Sequence, residues 1–483
     1  MLKNYLSVMK DNAEIVIGRN ISVNIKSVSS DFIQSIKNRL TVDNPVYLKN
    51  KKMGFWTGNI PKVIKFWKNC KNWLILPRGF KNSLFKELKI RNLPYKITDL
   101  RIINKPVKFY STIKLRPYQI PAVERAIKFE QGIIEAPCGA GKTVVGIEII
   151  ARAGQNSLWL VHTKELAEQA IERIKYFLNI PADKIGFLGN NNWKMGEYIT
   201  VGMVQTLSKR NLTSDFIKHF GLVILDEAHH TPAYSFMKVI EQFPSYYRFG
   251  FTATPYRADG LGMLMYYQIG YTVFKITQED LSVDGNLVKP SLKRIDTDFY
   301  YEYRDDFTSM IDSLTENKKR NNLIINILID EIKGGHYCLI LSDRVKHCQE
   351  LNNLLKVLYP EARCTVLTGD LSKSARTRIV NLVNEGKLNA IFATSRLAEE
   401  GLDWKILDRL FLTCPSRSKR KIQQSIGRIQ RPCEGKADAI VYDFVDTRVD
   451  ILASQYKSRF FSVYETLLSS SQQENILYEK REG

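Results

Sequence analysis

Long apolar runs and paired cysteines are both missing from this sequence. No apolar run in its 483 residues reaches the roughly 20 residues that span a membrane. The seven cysteines are an odd number with no Cys-x-x-Cys pair, so neither a disulfide framework nor a zinc site is expected. The start, MLKNYLSVMKDN, lacks the continuous apolar stretch of a secretory signal. These absences predict a cytoplasmic protein with reduced thiols.

Acidic residues are scarce in the front of the chain. Residues 1–110 hold 22 lysines and arginines against 6 acidic residues, a balance of +16 out of a net charge of +21. The other 373 residues are nearly neutral, with 49 basic residues against 44 acidic ones. Such an asymmetry predicts a polyanionic partner, either nucleic acid or an anionic membrane.

From about residue 109, short apolar runs alternate with helical patterns. SLWLVH, LVILDE and AIFAT are apolar runs, and KELAEQAIERIKYFL has the spacing of an amphipathic helix. This alternation predicts an α/β fold with parallel sheets that helices cover on both faces. Because this part of the chain is too long for one such sheet, we expect two, with a seam around residues 279–293.

The stretch IIEAPCGAGKTVVGIEII (133–150) predicts a phosphate-binding loop between a strand and a helix. Small residues let backbone N–H groups surround a phosphate, and the helix N-terminus adds a positive dipole end. Ala136 stands where the motif GxxxxGK, followed by Ser or Thr, has its first glycine. Lys142 would reach the β- and γ-phosphates of ATP, and the Thr143 hydroxyl would ligate Mg²⁺. The loop between Ala136 and Lys142 comprises Pro137, Cys138, Gly139, Ala140 and Gly141. The alternative is a tight turn with a solvated lysine.

Two carboxylates follow a second apolar run, GLVILDEAHH (221–230). At the carboxyl end of a buried strand, Asp226 can hold Mg²⁺ directly or through water, and Glu227 can polarise the attacking water. The alternative is that the two acids simply end a strand, but the combination of these acids with the Gly-Lys-Thr turn favours a nucleotide site.

The residues DEAH resemble motif II of superfamily 2 helicases, and further motifs appear in family order over about 320 residues. The matching segments are LRPYQ (115–119), LVHTKELAEQ (160–169), VGMVQTL (201–207), FTATP (251–255), LILSDRVKHCQEL (339–351), LTGD (367–370), ATSRLAEEGLDW (393–404) and QQSIGRIQR (423–431). The resemblance implies two RecA-like lobes behind a small basic N-terminal α+β domain. The predicted boundaries are 1–108 for the N-terminal domain, 109–282 for lobe 1, 283–470 for lobe 2 and 471–483 for a fraying tail.

The same resemblance implies a role for each residue that matches a motif. Gln119 would read adenine, and Gln424 would contact the γ-phosphate or the attacking water. Arg428 and Arg431 would face the γ-phosphate and stabilise the transition-state charge; their alternative is a solvated helix face. Gly401 and Asp403 would contact the nucleotide. Asp403 and His229 would couple the nucleotide to the DNA groove. Cys138 stands where threonine is usual, and we expect it to fill space.

Within superfamily 2, the turn TATPYRADGLG (252–262) resembles that of the group with phage UvsW-type, XPB-type and RadD helicases. The absence of RadD-like zinc cysteines favours the first two. The resemblance implies an ATP- and Mg²⁺-dependent DNA helicase or translocase that moves 3′ to 5′ in a bacterial or phage-infected cytoplasm. Its partner would be duplex, branched or single-stranded DNA, in repair, recombination or replication restart, and no membrane. An RNA helicase and the motor subunit of a restriction complex are the alternatives.

Lysines and aromatic rings alternate in the front segment NPVYLKNKKMGFWTGNIPKVIKFW (44–67). Its lysines would contact phosphates, and an exposed ring would stack on a base or act as a wedge at a junction. For Phe55, Trp56 and Trp67, each taken alone, we expect a core position because large rings are mostly buried. Since the motor motifs begin at Leu115, we also expect the motor to remain a folded ATPase without residues 1–108. The lysines around the rings are Lys49, Lys51, Lys52, Lys62, Lys65 and Lys68.

Overall fold

The chain divides into two compact units, Met1–Thr277 and Gln278–Gly483. The computed structural model describes residues 12–137, 139–189, 191–227, 233–253, 262–283, 288–304, 306–395, 397, 404–416 and 418–465. The predicted tail, 471–483, lies outside these residues. In the described parts of the chain, every helix is too short or too polar to cross a membrane.

The first unit begins with an α+β domain, residues 12–100. Its sheet has the strand order β5-β6-β2-β1-β7, and β3 and β4 form a separate antiparallel ladder. The strands are β1 (Ala13–Ile17), β2 (Ile21–Asn24), β3 (Thr41–Asp43), β4 (Val63–Lys65), β5 (Lys68–Cys70), β6 (Trp73–Leu76) and β7 (Tyr95–Asp99). The helices are α1 (Ser30–Arg39), α2 (Pro45–Lys52) and α3 (Lys81–Ile90), with 3₁₀ turns at Ile25–Ser27 and Arg78–Phe80. Alternate residues of β1 and β2 are buried, and their apolar face packs against α1 and α3.

Lobe 1, residues 101–277, completes the first unit with an eight-stranded sheet. The strand order is β11-β10-β12-β9-β13-β14-β8-β15, and only β10 and β11 pair antiparallel. The strands are β8 (Gln131–Glu135), β9 (Ser157–Val161), β10 (Ile185–Gly189), β11 (Asn192–Lys194), β12 (Ile199–Met203), β13 (Leu222–Leu225), β14 (Tyr247–Thr252) and β15 (Thr272–Lys275). The helices are α4 (Ile120–Phe129), α5 (Lys142–Ala153), α6 (Lys164–Leu178), α7 (Val204–Ser208), α8 (Ser214–Lys218), α9 (Ala233–Ile240) and α10 (Met263–Gln268), with a 3₁₀ turn at Ala182–Lys184.

The second unit contains a six-stranded, entirely parallel sheet of order β16-β21-β20-β17-β19-β18. The strands are β16 (Pro290–Asp296), β17 (Cys338–Ser342), β18 (Cys364–Leu367), β19 (Ala390–Thr394), β20 (Arg409–Leu412) and β21 (Ala439–Val445). The helices are α11 (Gln278–Val283), α12 (Phe307–Thr315), α13 (Lys318–Lys333), α14 (Val345–Leu358), α15 (Lys373–Asn384), α16 (Lys419–Ile429) and α17 (Asp450–Arg459), followed by a π-helical turn at Phe460–Tyr464. Two parallel-sheet lobes behind an α+β domain confirm the predicted fold class.

A buried arginine joins the N-terminal domain to lobe 1. The Arg78 side chain is fully buried, and its Nε donates to Gln131 Oε1 at 2.9 Å. Gln131 Nε2 donates back to the Arg78 carbonyl oxygen at 3.1 Å. The other guanidinium nitrogens donate to the carbonyl oxygens of Ser245 and Tyr246. One N-terminal side chain therefore holds both the start of β8 and the segment before β14.

Glu130, next to Gln131, collects three further donors. Lys81 Nζ lies 3.1 Å from Glu130 Oε2, Arg101 Nη1 lies 2.6 Å from the same oxygen, and the Tyr246 hydroxyl donates to Oε1. Burial raises the pKa of Glu130, but these three hydrogen bonds outweigh it and hold the pKa below its usual range. Lys81 belongs to the N-terminal domain and Arg101 and Tyr246 to lobe 1, so both parts of the first unit hold the junction between α4 and β8.

Tyr267 of α10 in lobe 1 belongs to the hydrophobic core of the N-terminal domain. Its ring centroid lies 4.8 Å from that of Phe66 and 6.4 Å from that of Phe80, and its hydroxyl donates to the Arg39 carbonyl at 3.1 Å. Removing residues 1–108 would expose this ring and leave the partners of Arg78 unsatisfied. These contacts instead predict that the motor depends on residues 1–108 for its fold.

Candidate nucleotide site and nucleic-acid surface

The predicted phosphate-binding loop connects the end of β8 to the first residue of α5. Gly139 and Gly141 have φ values of +86° and +76°, a left-handed backbone that other residues rarely adopt. This backbone turns the chain sharply so that α5 starts at Lys142 with its N-terminal N–H groups at the loop. The Ala136 N–H donates to the Thr252 carbonyl at 2.9 Å and so attaches the loop to the end of β14.

Gln119 lies directly before α4 and supports the loop from the side. It is buried, and its Nε2 donates to the Ala140 carbonyl at 2.9 Å while its Oε1 accepts from the Arg116 N–H at 3.0 Å. Both ends of the amide are thus bonded to backbone. The implied role of Gln119 in reading adenine stays a prediction.

Asp226 and Glu227 follow β13, and one strand, β14, lies between β13 and β8 in the sheet. Because these strands are parallel, their carboxyl ends reach the same edge as the phosphate loop. Asp226 is buried, and its Oδ1 accepts from the Glu227 N–H at 3.0 Å. Glu227 has a φ of +47°, a left-handed conformation that is uncommon outside glycine and recurs at functional sites.

Lys142 connects the two halves of the site. Its Nζ lies 3.1 Å from Glu227 Oε1 and donates to the Ala136 carbonyl at 3.3 Å. The side chain is only 10% exposed, so it is not the solvated lysine of the alternative interpretation.

The electrostatics of the carboxylates suit a cation. Burial is the main cause that raises the pKa of Asp226 to about 7, and the charge of Glu227 adds to the rise. Lys142 and the indole N–H of Trp159 act in the opposite direction. A bound Mg²⁺ would stabilise both negative charges, and carboxylate oxygen together with the Thr143 hydroxyl is a ligand set that this ion accepts. The residues present therefore fit Mg²⁺ and a nucleotide phosphate.

Further predicted motifs of lobe 1 lie at the same edge of the sheet. Thr163 caps α6 after β9 by accepting from the Leu166 N–H at 3.3 Å. Gln205, after β12, donates to the His162 carbonyl at 2.8 Å. The motifs that resemble Ia and its successor thus contact each other. Four predicted residues, Cys138, His229, Gly401 and Asp403, lie outside the described part of the chain.

In the second unit, α16 carries Gln424 and Arg428, and Arg431 follows just after the helix ends. Gln424 and Arg428 are buried and Arg431 is half-buried, so Arg428 is not on a solvated helix face. Gln424 Oε1 is enclosed and has no hydrogen-bond partner among the described residues.

Sequence reasoning missed Lys436, which fixes the end of this motif. Its Nζ donates to the carbonyls of Arg431, at 2.9 Å, and Leu407. Burial lowers the pKa of Lys436 to about 8. Only its position five residues after Arg431 could have drawn attention to it.

Exposed lysines and aromatic rings are concentrated in residues 49–68 of the N-terminal domain, and we call them the lysine–aromatic surface. Phe55 is 60% exposed and Trp56 is 74% exposed, so the expectation of core positions is wrong for both rings. Trp67 is half-buried, packs against the domain core, and donates through Nε1 to Thr41 Oγ1 at 3.0 Å. The surface consists of the two exposed rings and the exposed side chains Lys49, Lys51, Lys52, Lys62, Lys65 and Lys68.

Comparison with known proteins gives two family matches. Residues 112–257 match the family described as type III restriction enzyme, res subunit, and residues 319–433 match the helicase conserved C-terminal domain. The chain is 28% identical over 461 residues to a putative ATP-dependent RNA helicase of Acanthamoeba polyphaga mimivirus, covering 90% of this chain and 82% of that protein. It is 26% identical over 364 residues to the DNA 3′-5′ translocase XPB2 of Sulfurisphaera tokodaii, covering 67% and 80% respectively.

A solved structure shares the fold. The fragment of a putative HsdR subunit of a type I restriction enzyme from Vibrio vulnificus YJ016 has a TM-score of 0.54 at 19% identity, over 72% of this chain and 68% of that one. The two family matches and the helicase-named relatives make the chain an ATP-hydrolysing enzyme that acts on nucleic acid. The two family matches confirm the predicted resemblance to superfamily 2 helicases, and the relatives include a translocase named XPB2.

Proposed function

We propose that this helicase is an ATP-driven DNA translocase that remodels duplex or branched DNA. The observation that carries the proposal is the lysine–aromatic surface on a domain that buried contacts attach to the ATP-binding lobe. Between Asp43 and Glu87 the chain has ten lysines and arginines and no acidic residue. Its exposed lysines would neutralise backbone phosphates, and Trp56 or Phe55 would stack on an unpaired base at a junction.

At the nucleotide, each residue has a role that its position supports. Lys142 would exchange its present contacts, Glu227 and the Ala136 carbonyl, for the β- and γ-phosphates. Thr143 and Asp226 would hold Mg²⁺, whose charge offsets that of the phosphates. Glu227, released from Lys142, would accept a proton from the attacking water.

The resemblance gives the motif on α16 a role at the γ-phosphate of ATP. Arg428 and Arg431 would stabilise the charge that develops there, and Gln424 would use its unbonded Oε1 to orient the attacking water. Lys436 would keep the Arg431 backbone in place.

DNA and a 3′-to-5′ direction are supported by the relative named as a DNA 3′-5′ translocase. The mimiviral relative, named as a putative RNA helicase, favours RNA as the second candidate substrate. Lysine contacts to phosphates do not by themselves separate the two, because both nucleic acids present the same backbone charge.

A matched panel of nucleic acids tests the proposal. ATPase rates should be measured with a fork, a Holliday junction, linear duplex, single-stranded DNA and RNA of the same sequence. We expect several-fold stimulation by DNA, largest with branched substrates, and unwinding of a duplex with a 3′ tail but not a 5′ tail. Stronger stimulation by RNA than by any DNA would overturn the assignment in favour of an RNA helicase.

A further inference from the structure

Trp159, in the middle of β9, is one of the two largest fully buried side chains among the described residues. Its register partners are Val201 on β12 and Ile224 on β13. Its ring stacks on Phe251 of β14, with centroids 6.4 Å apart and planes 12° from parallel. The ring therefore lies beneath the centre of the sheet edge that holds the nucleotide site.

The same ring touches the helix that follows the phosphate loop. A Cβ atom placed on Gly146 of α5 would lie 2.6 Å from Trp159 Cη2 and 2.7 Å from Cζ3. Glycine is unfavourable inside a helix, and this close approach explains why the position requires it. Gly146 is one helical turn beyond Lys142, so the indole supports α5 directly below the loop.

The indole N–H faces the predicted metal carboxylate. Register partners on parallel strands share a face, so Trp159 and Ile224 point the same way, and Asp226 lies two residues beyond Ile224, directly after β13. The Asp226 N–H donates to the carbonyl of Leu160, the next residue on β9, at 2.9 Å. The indole nitrogen is buried and completes no hydrogen bond among the described residues. It nevertheless lies near enough to oppose the rise in the pKa of Asp226 that burial causes.

An indole N–H can only donate, and a buried donor without an acceptor is costly. The Asp226 carboxylate, directly after the neighbouring strand β13, is the acceptor that would satisfy it. A single side chain would then fix the carboxylate on one side and α5 on the other. Groups that orient a metal ligand in this way typically change metal affinity when they are removed.

We infer that Trp159 is a positioning residue, which orients the Asp226 carboxylate for Mg²⁺ and links it to the phosphate-loop helix. The inference rests on the proposed role of Asp226. It assigns Trp159 no contact with ATP or with the reacting atoms.

Trp159→Phe removes the N–H and retains an aromatic ring, and Phe251→Leu is the matched control because it reduces the same stack without removing a donor. The Mg²⁺ requirement should be measured both as the concentration for half-maximal ATPase at fixed ATP and as the concentration for half-maximal binding of a fluorescent ATP analogue, with thermal melting as a measure of folding. We expect both variants to melt earlier, and only Trp159→Phe to require more Mg²⁺, on the order of tenfold. Equal Mg²⁺ requirements for the two variants would overturn the inference.

Gly146→Ala is a second variant that keeps the donor but displaces the ring. A raised Mg²⁺ requirement in this variant supports the positioning role, and an unchanged one contradicts it. Asp226→Asn separates the inference from the proposed function. If it abolishes ATPase while Trp159→Phe leaves the Mg²⁺ requirement unchanged, only the inference fails. If it retains wild-type ATPase, the proposed function of Asp226 fails as well.

Discussion

Arg78 and Gln131 exchange hydrogen bonds across the boundary between the N-terminal domain and lobe 1, at 2.9 and 3.1 Å. Gln131 starts β8, the strand that ends in the phosphate loop, and α4, which starts beside Gln119, ends just before it. The DNA-binding domain of the proposal is therefore fixed to the two elements that lead into the nucleotide site.

Replacing Arg78 should destabilise the first unit. Arg78→Met keeps an apolar stem but leaves Gln131 and two carbonyl oxygens without their donor, each a loss of about 1–3 kcal/mol. Because the variant no longer buries a charge, part of this loss is offset. We therefore expect the free energy of unfolding to fall by about 2–4 kcal/mol. Urea unfolding measures it, with Lys86→Met, at an exposed position of the same domain, as the control. Equal stability of the two variants would contradict the structural role of Arg78.

Deleting residues 1–108 should impair the fold of lobe 1 as well as DNA binding. The deletion removes Arg78, Lys81 and Arg101 and exposes Tyr267. We expect an aggregated or early-melting protein with little ATPase. Size-exclusion chromatography and thermal melting measure this, and a monomeric truncated protein with wild-type basal ATPase would restore the original expectation of an independent motor.

The contribution of Glu130 to stability should depend on pH. Since the folded-state pKa of Glu130 is lowered, its contribution is present above the unfolded pKa, about 4.3, and is lost as the pH falls through the folded pKa. We expect Glu130→Gln to melt earlier than wild type at pH 7 and to approach wild type as the pH falls below the folded-state pKa. Glu124→Gln, on the exposed side of the same helix, should track wild type at both pH values.

Glu227→Gln should nearly abolish ATP hydrolysis. The substitution keeps the shape of the side chain but removes the base, a loss of about 10²–10⁴-fold in kcat. Because Lys142 also loses its ion pair with Glu227, binding of ATP·Mg²⁺ and DNA should persist or strengthen. Single-turnover hydrolysis and fluorescent-nucleotide binding separate these effects, with the exposed Glu172→Gln as the control. A near wild-type rate would remove Glu227 from the catalytic site.

Neutralising part of the lysine–aromatic surface should weaken DNA binding and make the binding less dependent on salt. The triple change of Lys49, Lys51 and Lys52 to glutamine should reduce the slope of log K against log salt by about 3 and weaken all duplexes similarly. The same change at exposed Lys318, Lys319 and Lys333 removes equal charge elsewhere and is the control. Equal slopes for the two triple variants would mean that the lysine surface does not contact DNA.

The motor was predictable because its local signals agree with one another. KELAEQAIERIKYFL forms α6 with the predicted limits and with Thr163 as its cap, and a helix, α5, follows the phosphate loop as predicted, with Gly141 directly before its first residue. Continuous apolar runs such as AIFAT became central parallel strands because both faces of such strands are covered.

The N-terminal contacts were not predictable in the same way. Arg78 and Gln131 are 53 residues apart, and hydrophobic periodicity cannot indicate that two polar side chains are buried against each other. An arginine inside the apolar run LILPRGF was the one available signal. For Trp56 and Phe55, ring size argued for burial, but the surrounding lysines left no apolar face with which a core could form.

Tyr267 has a consequence for how this protein could be recombined with its relatives. The core of the N-terminal domain is completed by a ring that the chain supplies about 170 residues after the domain ends. A chimera that exchanges only the front domain would thus carry either a hole or a clash at this position. A chimera that keeps this contact therefore has to transplant the domain and α10 together.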